Sequence, residues 1–376
     1  MNTQGKWFVS GLLFSAAITL AAPGDPDPAI NPLLDRSNVK VVAQSGSRLA
    51  ISGSFTTVNN IPRAGVARLN ADGSVDPTFA PAPSPDGVAG IYPLSNDKLL
   101  LAGSFTNVSS ISRVALARLN SDGPVDPAFE VNWLAGGLRP GGPPPIPGAP
   151  LFGCSIHAVL RDGSLIALAN NLWLPNGSEV PRLVKISTTG QIDATFTMPF
   201  NVPFVQTTAI WPLANGKLLA LYGGYNDSGR LVRCNANGSL DSSFPEISTP
   251  RFLYQVVEQS DGKILLFGDF ANQSVSRIHP DGALDTSFHP AVSGEVRAGA
   301  VQADGKIGIV GAFQLHGSTN TYTVARLNAD GSLDVGFHAL TGGLYEVSGV
   351  TIDSDGRIVS FGGGRVNNRR YEDGVR

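Results

Sequence analysis

Hydrophobic positions in this chain fall in short runs, often at every second residue, and polar turns rich in Asp, Asn and Gly separate them. Runs of that length and period are those of half-buried β-strands, and helical periodicity is nearly absent. Two patterns recur along the chain. The first is a basic residue, a hydrophobe, a Gly-centred turn, a hydrophobe, an Asp and a Phe, as in Arg68-Leu-Asn-Ala-Asp-Gly-Ser-Val-Asp-Pro-Thr-Phe79. Further copies run from Arg118 to Phe129, Lys185 to Phe196, Arg233 to Phe244, Arg277 to Phe288 and Arg326 to Phe337. The second is a turn, a basic or polar residue, a hydrophobic run and a Gly, as in Asp97-Lys-Leu-Leu-Leu-Ala-Gly-Ser-Phe105 and Asp261 to Phe270. It recurs at Gly46 to Phe55, Asp162 to Ala169, Asn215 to Tyr225, Asp304 to Phe313 and Asp355 to Gly363, which makes seven units.

The first pattern has a definite register. Leu69 and Val75 lie symmetrically about Asp72, so the hairpin loop is Ala71, Asp72 and Gly73, with Gly73 at the position that requires a left-handed backbone. The same register sets Arg68 opposite Asp76. Asp126, Asp193, Asp241, Asp285 and Asp334 then face Arg118, Lys185, Arg233, Arg277 and Arg326. If exposed, each cross-strand pair would contribute about 0.2 to 1 kcal/mol. Equivalent carboxylates in six copies suit a structural ladder, because a single active site does not need repetition.

Each unit therefore holds four short strands, a to d, and an internal period of roughly 45 to 65 residues marks an array of one repeated module. Four-stranded sheets packed radially give a β-propeller, the all-β architecture that repeats at this length. The expected fold is a seven-bladed β-propeller of four-stranded antiparallel blades. Asp27-Pro-Ala-Ile30 echoes Asp126-Pro-Ala-Phe129, so the N-terminal segment is expected to supply strand d of the last blade and close the ring. The polar stretch Arg369 to Arg376 makes a poor strand c, which leaves open a frayed last blade or a chain shortened from a longer array.

These motifs resemble the delta-60 repeat family, a bacterial β-propeller repeat. Lys263 to Phe270, Ala325 to Phe337 and Ala67 to Phe79 carry the likeness, which extends from Asn31 to about Gly364. The resemblance implies a propeller fold and export, and it implies no reaction. The third unit departs most: Thr188-Thr-Gly190 replaces the Asn-x-Asp-Gly turn, and Asn170 replaces the Gly after strand b.

Composition refines this picture in three ways. Charged residues are only 15% of the chain and the formal net charge is −3, so there is no basic surplus to neutralise phosphates, and nucleic acid is not an expected partner. Residues 1–22 combine Lys6, an apolar stretch from Trp7 to Leu20, and Ala21 and Ala22, the layout of a secretory signal peptide, with an uncleaved membrane anchor as the alternative. Residues 23–376 are then expected to form one propeller domain, secreted, periplasmic or at the cell surface, monomeric and free of the membrane after cleavage. The two cysteines, Cys154 and Cys234, could bond to each other; two packed thiols suit their apolar positions better.

Antiparallel topology puts the a–b and c–d turns on one uniform rim and the b–c and d–a connections on an irregular one. The irregular rim carries the Pro/Gly-rich insert 134–150 and the aromatic and polar residues Trp133, Trp173, Tyr225, Asp227, His316, Tyr322 and Arg365. These are the expected ligand-face residues, and an unidentified protein or glycan is the expected ligand. Trp211 echoes Tyr92 and reads as a packing site, while His289 and His338 follow equivalent Phe residues but have no third metal ligand. No nucleophile elbow, zinc-protease, P-loop, dinucleotide or EF-hand motif occurs, and no cofactor or metal is expected. A non-enzymatic binding or surface scaffold leads. The alternative is a hydrolase or lyase acting on a glycan or small metabolite in the central funnel, which would require His157, Glu258, Asp353 or similar groups to converge.

Overall fold

The structure, a computed structural model, describes residues 40–53, 55–63, 65–79, 88–135, 153–198, 206–223, 229–249, 252–270, 273–341, 345–353, 356–366 and 369–370. The expected signal segment 1–22, the segment Asp27 to Ile30, Tyr225, Asp227 and the part of the insert from 136 onward lie outside these residues.

The described chain is all-β: its helical content is one 3-10 turn at Ser95–Asp97, and no helix is long and apolar enough to cross a membrane. Among the described residues, seven antiparallel sheets of three or four strands follow one another, each opening with strands a, b and c in hydrogen-bonded order. Sheets 1 and 2 are Lys40–Ala43, Leu49–Ser52, Val66–Leu69 and Val88–Pro93, Leu99–Gly103, Leu116–Leu119. Sheets 3 and 4 are Gly153–Val159, Leu165–Asn170, Leu183–Ile186 and Gln206–Pro212, Leu218–Gly223, Arg230–Cys234. Sheets 5 and 6 are Phe252–Glu258, Ile264–Phe270, Gln273–Ile278 and Val292–Val301, Ile307–Leu315, Thr321–Leu327. Sheet 7 is Tyr345–Ile352, Ile358–Val366 and Arg369–Arg370.

The c–d hairpin has the register that its glycine dictates. Asn70 N–H donates to Ser74 at 2.8 Å, Gly73 N–H donates back to Asn70 at 2.9 Å, and Gly73 has φ +79°. Leu69 and Val75 pair as an isolated bridge, and the same bridge recurs in the next five sheets, ending with Leu327 and Leu333. In sheet 4, Gly238 serves a second purpose: a Cβ there would run into the Thr197 carbonyl of the preceding sheet. That contact closes as a hydrogen bond from Thr197 N–H to Asn237 O at 3.2 Å.

Strand d is shorter than the sequence suggests. In sheet 1 the Asp76 carboxylate accepts the Thr78 N–H at 2.8 Å, and in sheet 5 Asp285 accepts the Ser287 N–H at 3.0 Å. This side-chain turn bends the backbone away from strand c and stops the ladder. Only sheets 4 and 6 resume a fourth strand among the described residues, at Ile247–Ser248 and Leu340–Thr341.

The core lies between sheets. Leu100 and Ala102 of sheet 2 pack with Ile156, Leu165 and Ala167 of sheet 3, and Ala158 and Ile166 on the opposite face pack with Ile210, Leu218 and Ala220 of sheet 4. Each fully buried Leu, Ile or Phe contributes about 1.5 to 3 kcal/mol. The first and last sheets also adjoin: Lys40–Ala43 lies against Tyr345–Ile352, and Val359 packs with Val41, Leu49 and Ile51.

The recurrent Arg and Asp are buried rather than exposed, which corrects the expectation of a weak surface ladder. Arg68 is 2% exposed and Asp76 4%, and Nε of the Arg meets the carboxylate at 2.9 Å. The guanidinium lies over the Phe79 ring and its Nη1 reaches forward to the Ser121 carbonyl, in the c–d turn of sheet 2. Arg118, Arg233 and Arg277 likewise stack on Phe129, Phe244 and Phe288 and donate to Thr188, Pro280 and Ala329 of the next sheet. A second cation joins from the a–b turn: Lys98, Lys217, Lys263 and Lys306 reach Asp126, Asp241, Asp285 and Asp334. Each bracket of this kind pins three strands and a neighbouring turn.

Candidate functional site

Strand a is an edge strand in every sheet, and the strands a of neighbouring sheets touch each other at the pairs 1 and 2, 2 and 3, 3 and 4, 5 and 6, 6 and 7, and 7 and 1. Their free edges therefore gather on one inner side. From sheet 2 onward every strand a carries a register shift against strand b, at Val88/Gly90, Ile156/Ala158, Thr207/Ala209, Leu253/Gln255, Val296/Ala298 and Val347/Gly349. Such a bulge sets an extra residue into the strand and re-aims its side chain. The extra residues are Ala89, His157, Thr208, Tyr254, Arg297 and Ser348.

Their exposure shows the effect. Ala89 and Tyr254 are exposed and His157 and Arg297 half-buried, while Gly90, Ile156, Ala158, Leu253, Val296 and Ala298 beside them are buried. Turns and brackets recur in most sheets, yet from sheet 2 onward this position holds a different residue each time. The sequence reading passed over it; the available signal was a slip in hydrophobic parity, as from Leu253 to Val256 in sheet 5, both buried.

Two of these residues form a linked group across sheets 5 and 6. Arg297 Nε donates to Glu295 Oε1 at 2.9 Å, and the Tyr254 hydroxyl donates to the same carboxylate. The Arg297 guanidinium, followed by Tyr254, outweighs partial burial and holds the Glu295 carboxyl below its ordinary range. Alongside, Gly299 N–H donates to Gln255 Oε1 at 2.7 Å, and a Cβ on Gly299 would collide with the Phe267 ring. The group thus stands on a closely packed floor.

The expected ligand-face residues scatter. Trp133 is 3% exposed and its indole N–H donates to the Val114 carbonyl at 2.7 Å, so it is a core residue with no surface to offer a ligand. The insert begins as a strand, Leu134–Ala135, paired with Leu172–Trp173, and Trp173 is half-buried there. His316 is exposed and Tyr322 half-buried on the b–c hairpin of sheet 6, with the Tyr322 hydroxyl 3.3 Å from Ser318 Oγ. Arg365 lies in Ile358–Val366, paired through its backbone with Arg370.

The three groups named for a catalytic funnel each have a different environment. Burial pushes the pKa of His157 down, Glu258 accepts the Ala214 N–H of sheet 4, and Asp353 pairs with Arg357 at 2.6 Å. His289 and His338 are both exposed, and no group of His, Cys, Asp and Glu among the described residues could hold a metal ion. Cys154 and Cys234 are free and buried in sheets 3 and 4, and burial pushes the Cys154 thiol up to about 12.

Five stretches, 47–79, 94–129, 213–244, 259–288 and 302–337, match the model of a family described as a domain of unknown function (DUF5122) beta-propeller. The chain thus carries β-propeller repeats. The matched stretches omit the divergent sheet 3. Among solved structures, a catalytically inactive virginiamycin B lyase from Staphylococcus aureus, determined with quinupristin, aligns at TM-score 0.52 and 13% identity over 94% of this chain and 97% of its own. A protein of unknown function from Bacteroides caccae aligns at TM-score 0.41 and 11% identity over 83% and 94% of the two chains. A streptogramin B lyase aligns at 0.40 and 16% over 79% and 94%. At such identities the likeness concerns the fold. No curated protein sequence matches the chain.

Proposed function

We propose that this chain is an exported, non-enzymatic binding module: a seven-bladed propeller of delta-60-type repeats, closed between its first and last sheets with help from the N-terminal segment. Its ligand contacts lie on the inner edge, at the strand a bulges. Closure is supported by the packing of Val359 against Val41 and Ile51. The observation that carries the functional reading is the contrast within each repeat. The recurrent charges are taken up in brackets, while from sheet 2 onward each strand a carries a bulge whose extra residue differs from sheet to sheet.

The enzyme alternative is less well supported by the same geometry. General acid–base chemistry needs a titratable pair within reach of one substrate atom. Glu295 is held charged by Arg297 and Tyr254, and His157 sits three sheets away from it.

A screen of the purified chain on mixed glycan and peptide arrays tests this reading. Binders should weaken in Arg297→Ala and His157→Ala variants. Binders indifferent to both, yet weakened by Trp173→Ala or Tyr322→Ala, would place the contact on the outer loops and contradict it. Turnover of an array ligand would establish the enzyme alternative instead.

A further inference from the structure

We infer that the Tyr254, Glu295 and Arg297 group is a subsite for a neutral saccharide; the inference rests on the inner-edge reading and names its ligand class. Tyr254 is 38% exposed although it belongs to a strand whose neighbouring residues Leu253 and Val256 are buried, so part of its aromatic side chain is open to a ligand. The side chains of Glu295 and Arg297 are each 32% exposed beside it. The phenol hydroxyl and the guanidinium both donate to the carboxylate, which fixes all three groups before any ligand arrives. A preformed group loses little side-chain entropy on binding.

The charge of the group selects among ligands. One carboxylate and one guanidinium, paired at 2.9 Å, leave no net charge. An anion meets Glu295, a cation meets Arg297, and a purely apolar ligand would strip water from both without replacing it. A pyranose satisfies every part: its C–H face lies on the aromatic ring, and its vicinal hydroxyls, each donor and acceptor, meet the mixed edge of N–H groups and carboxylate oxygens. Gln255 and Gly299, joined at 2.7 Å, hold the strands a of sheets 5 and 6 in register beneath it.

Calorimetric titration of the purified chain with cellohexaose, maltohexaose and chitohexaose, and with hexagalacturonate as the charged counterpart, tests the assignment. At least one neutral hexasaccharide should bind. Tyr254→Ala should weaken it by about tenfold or more, as removal of a central aromatic contact does. Tyr254→Phe keeps the platform and loses the hydroxyl, so it should bind within about threefold of the parent, a loss of under 1 kcal/mol. Val335→Ala, on the far rim, should leave binding unchanged. Binding of hexagalacturonate alone would overturn the neutral class and leave the inner-edge reading standing. Absence of binding by every hexasaccharide at millimolar concentration would overturn the saccharide assignment, with the array screen still deciding the inner edge. Full binding by Tyr254→Ala would overturn the subsite, with the Arg297→Ala and His157→Ala variants still deciding the inner edge.

Discussion

Sheets 1 and 3 place the same two residues of the repeat in the same register, and only one of them makes a bracket. In sheet 1, Arg68 and Asp76 are buried at 2.9 Å, with the guanidinium stacked on Phe79 and reaching the turn of sheet 2. In sheet 3, Lys185 stands 4.0 Å from Asp193, whose side chain is 35% exposed, and Ser164 replaces the second cation that Lys98 or Lys263 supplies elsewhere. The turn survives these changes because Ser187 Oγ accepts the N–H groups of Thr189 and Gln191, the second of them equivalent to the Ser74 N–H that Asp72 accepts in sheet 1. The hairpin is therefore set by backbone and turn chemistry. The bracket is a separate device that joins one sheet to the next, and it demands Arg, because a lysine offers neither a planar face nor a second donor pointing forward.

The largest test of this contrast is a matched pair of substitutions. Asp76→Asn leaves Arg68 buried without its counter-charge and should cost about 3 to 5 kcal/mol in urea unfolding. Asp193→Asn should cost about 1 kcal/mol or less, because its half-buried pair with Lys185 is long, at 4.0 Å. Equal losses would erase the distinction between the two sheets. Next in size, Arg277→Lys keeps the charge at Asp285 while giving up the Phe288 face and the Ala329 carbonyl, and should cost about 2 kcal/mol.

Acid should act on the same device. Burial alone would raise the Asp126 carboxyl, but Lys98, the Ala128 N–H and Arg118 outweigh it and hold it at about 2, below its ordinary 3.8. A depressed folded-state pKa contributes stability that is complete above the unfolded value and is lost as pH falls from 3.8 towards 2. Unfolding free energies between pH 5 and 2 should thus fall by about 2 kcal/mol more in the parent than in Asp126→Asn. The smallest expected effect is a gain: Lys185→Arg restores stacking and forward reach in sheet 3 and should add about 0.5 kcal/mol. A loss there would show that sheet 3 has no room for a bracket.

Much of this was legible in the sequence because its causes are local. The three-residue loop follows from the spacing of Leu69, Gly73 and Val75, and the facing of Arg68 and Asp76 follows from that loop. The depth of the pair did not follow, because Arg68 is sealed by Ser121 of the next sheet, a contact far away along the chain. Trp133 misled for the same reason: on a loop by sequence, it is enclosed by Val114 and the core of sheets 2 and 3. The candidate site escaped notice because repetition was the guide. A bulge that holds Ala89, His157, Tyr254 and Arg297 in turn has no repeated text; burial slips by one residue in sheet 5, from Leu253 to Val256, but alternates unbroken through His157 in sheet 3.

The division of labour between repeated brackets and variable bulges is tested most directly by the urea unfolding free energy of the Tyr254→Ala variant. A bulge side chain that serves a ligand should be dispensable to the fold, so the expected change is within about 1 kcal/mol of the parent. A loss of about 3 kcal/mol or more, matching that expected for Asp76→Asn, would make Tyr254 part of the packing between sheets 5 and 6 and contradict its assignment to binding.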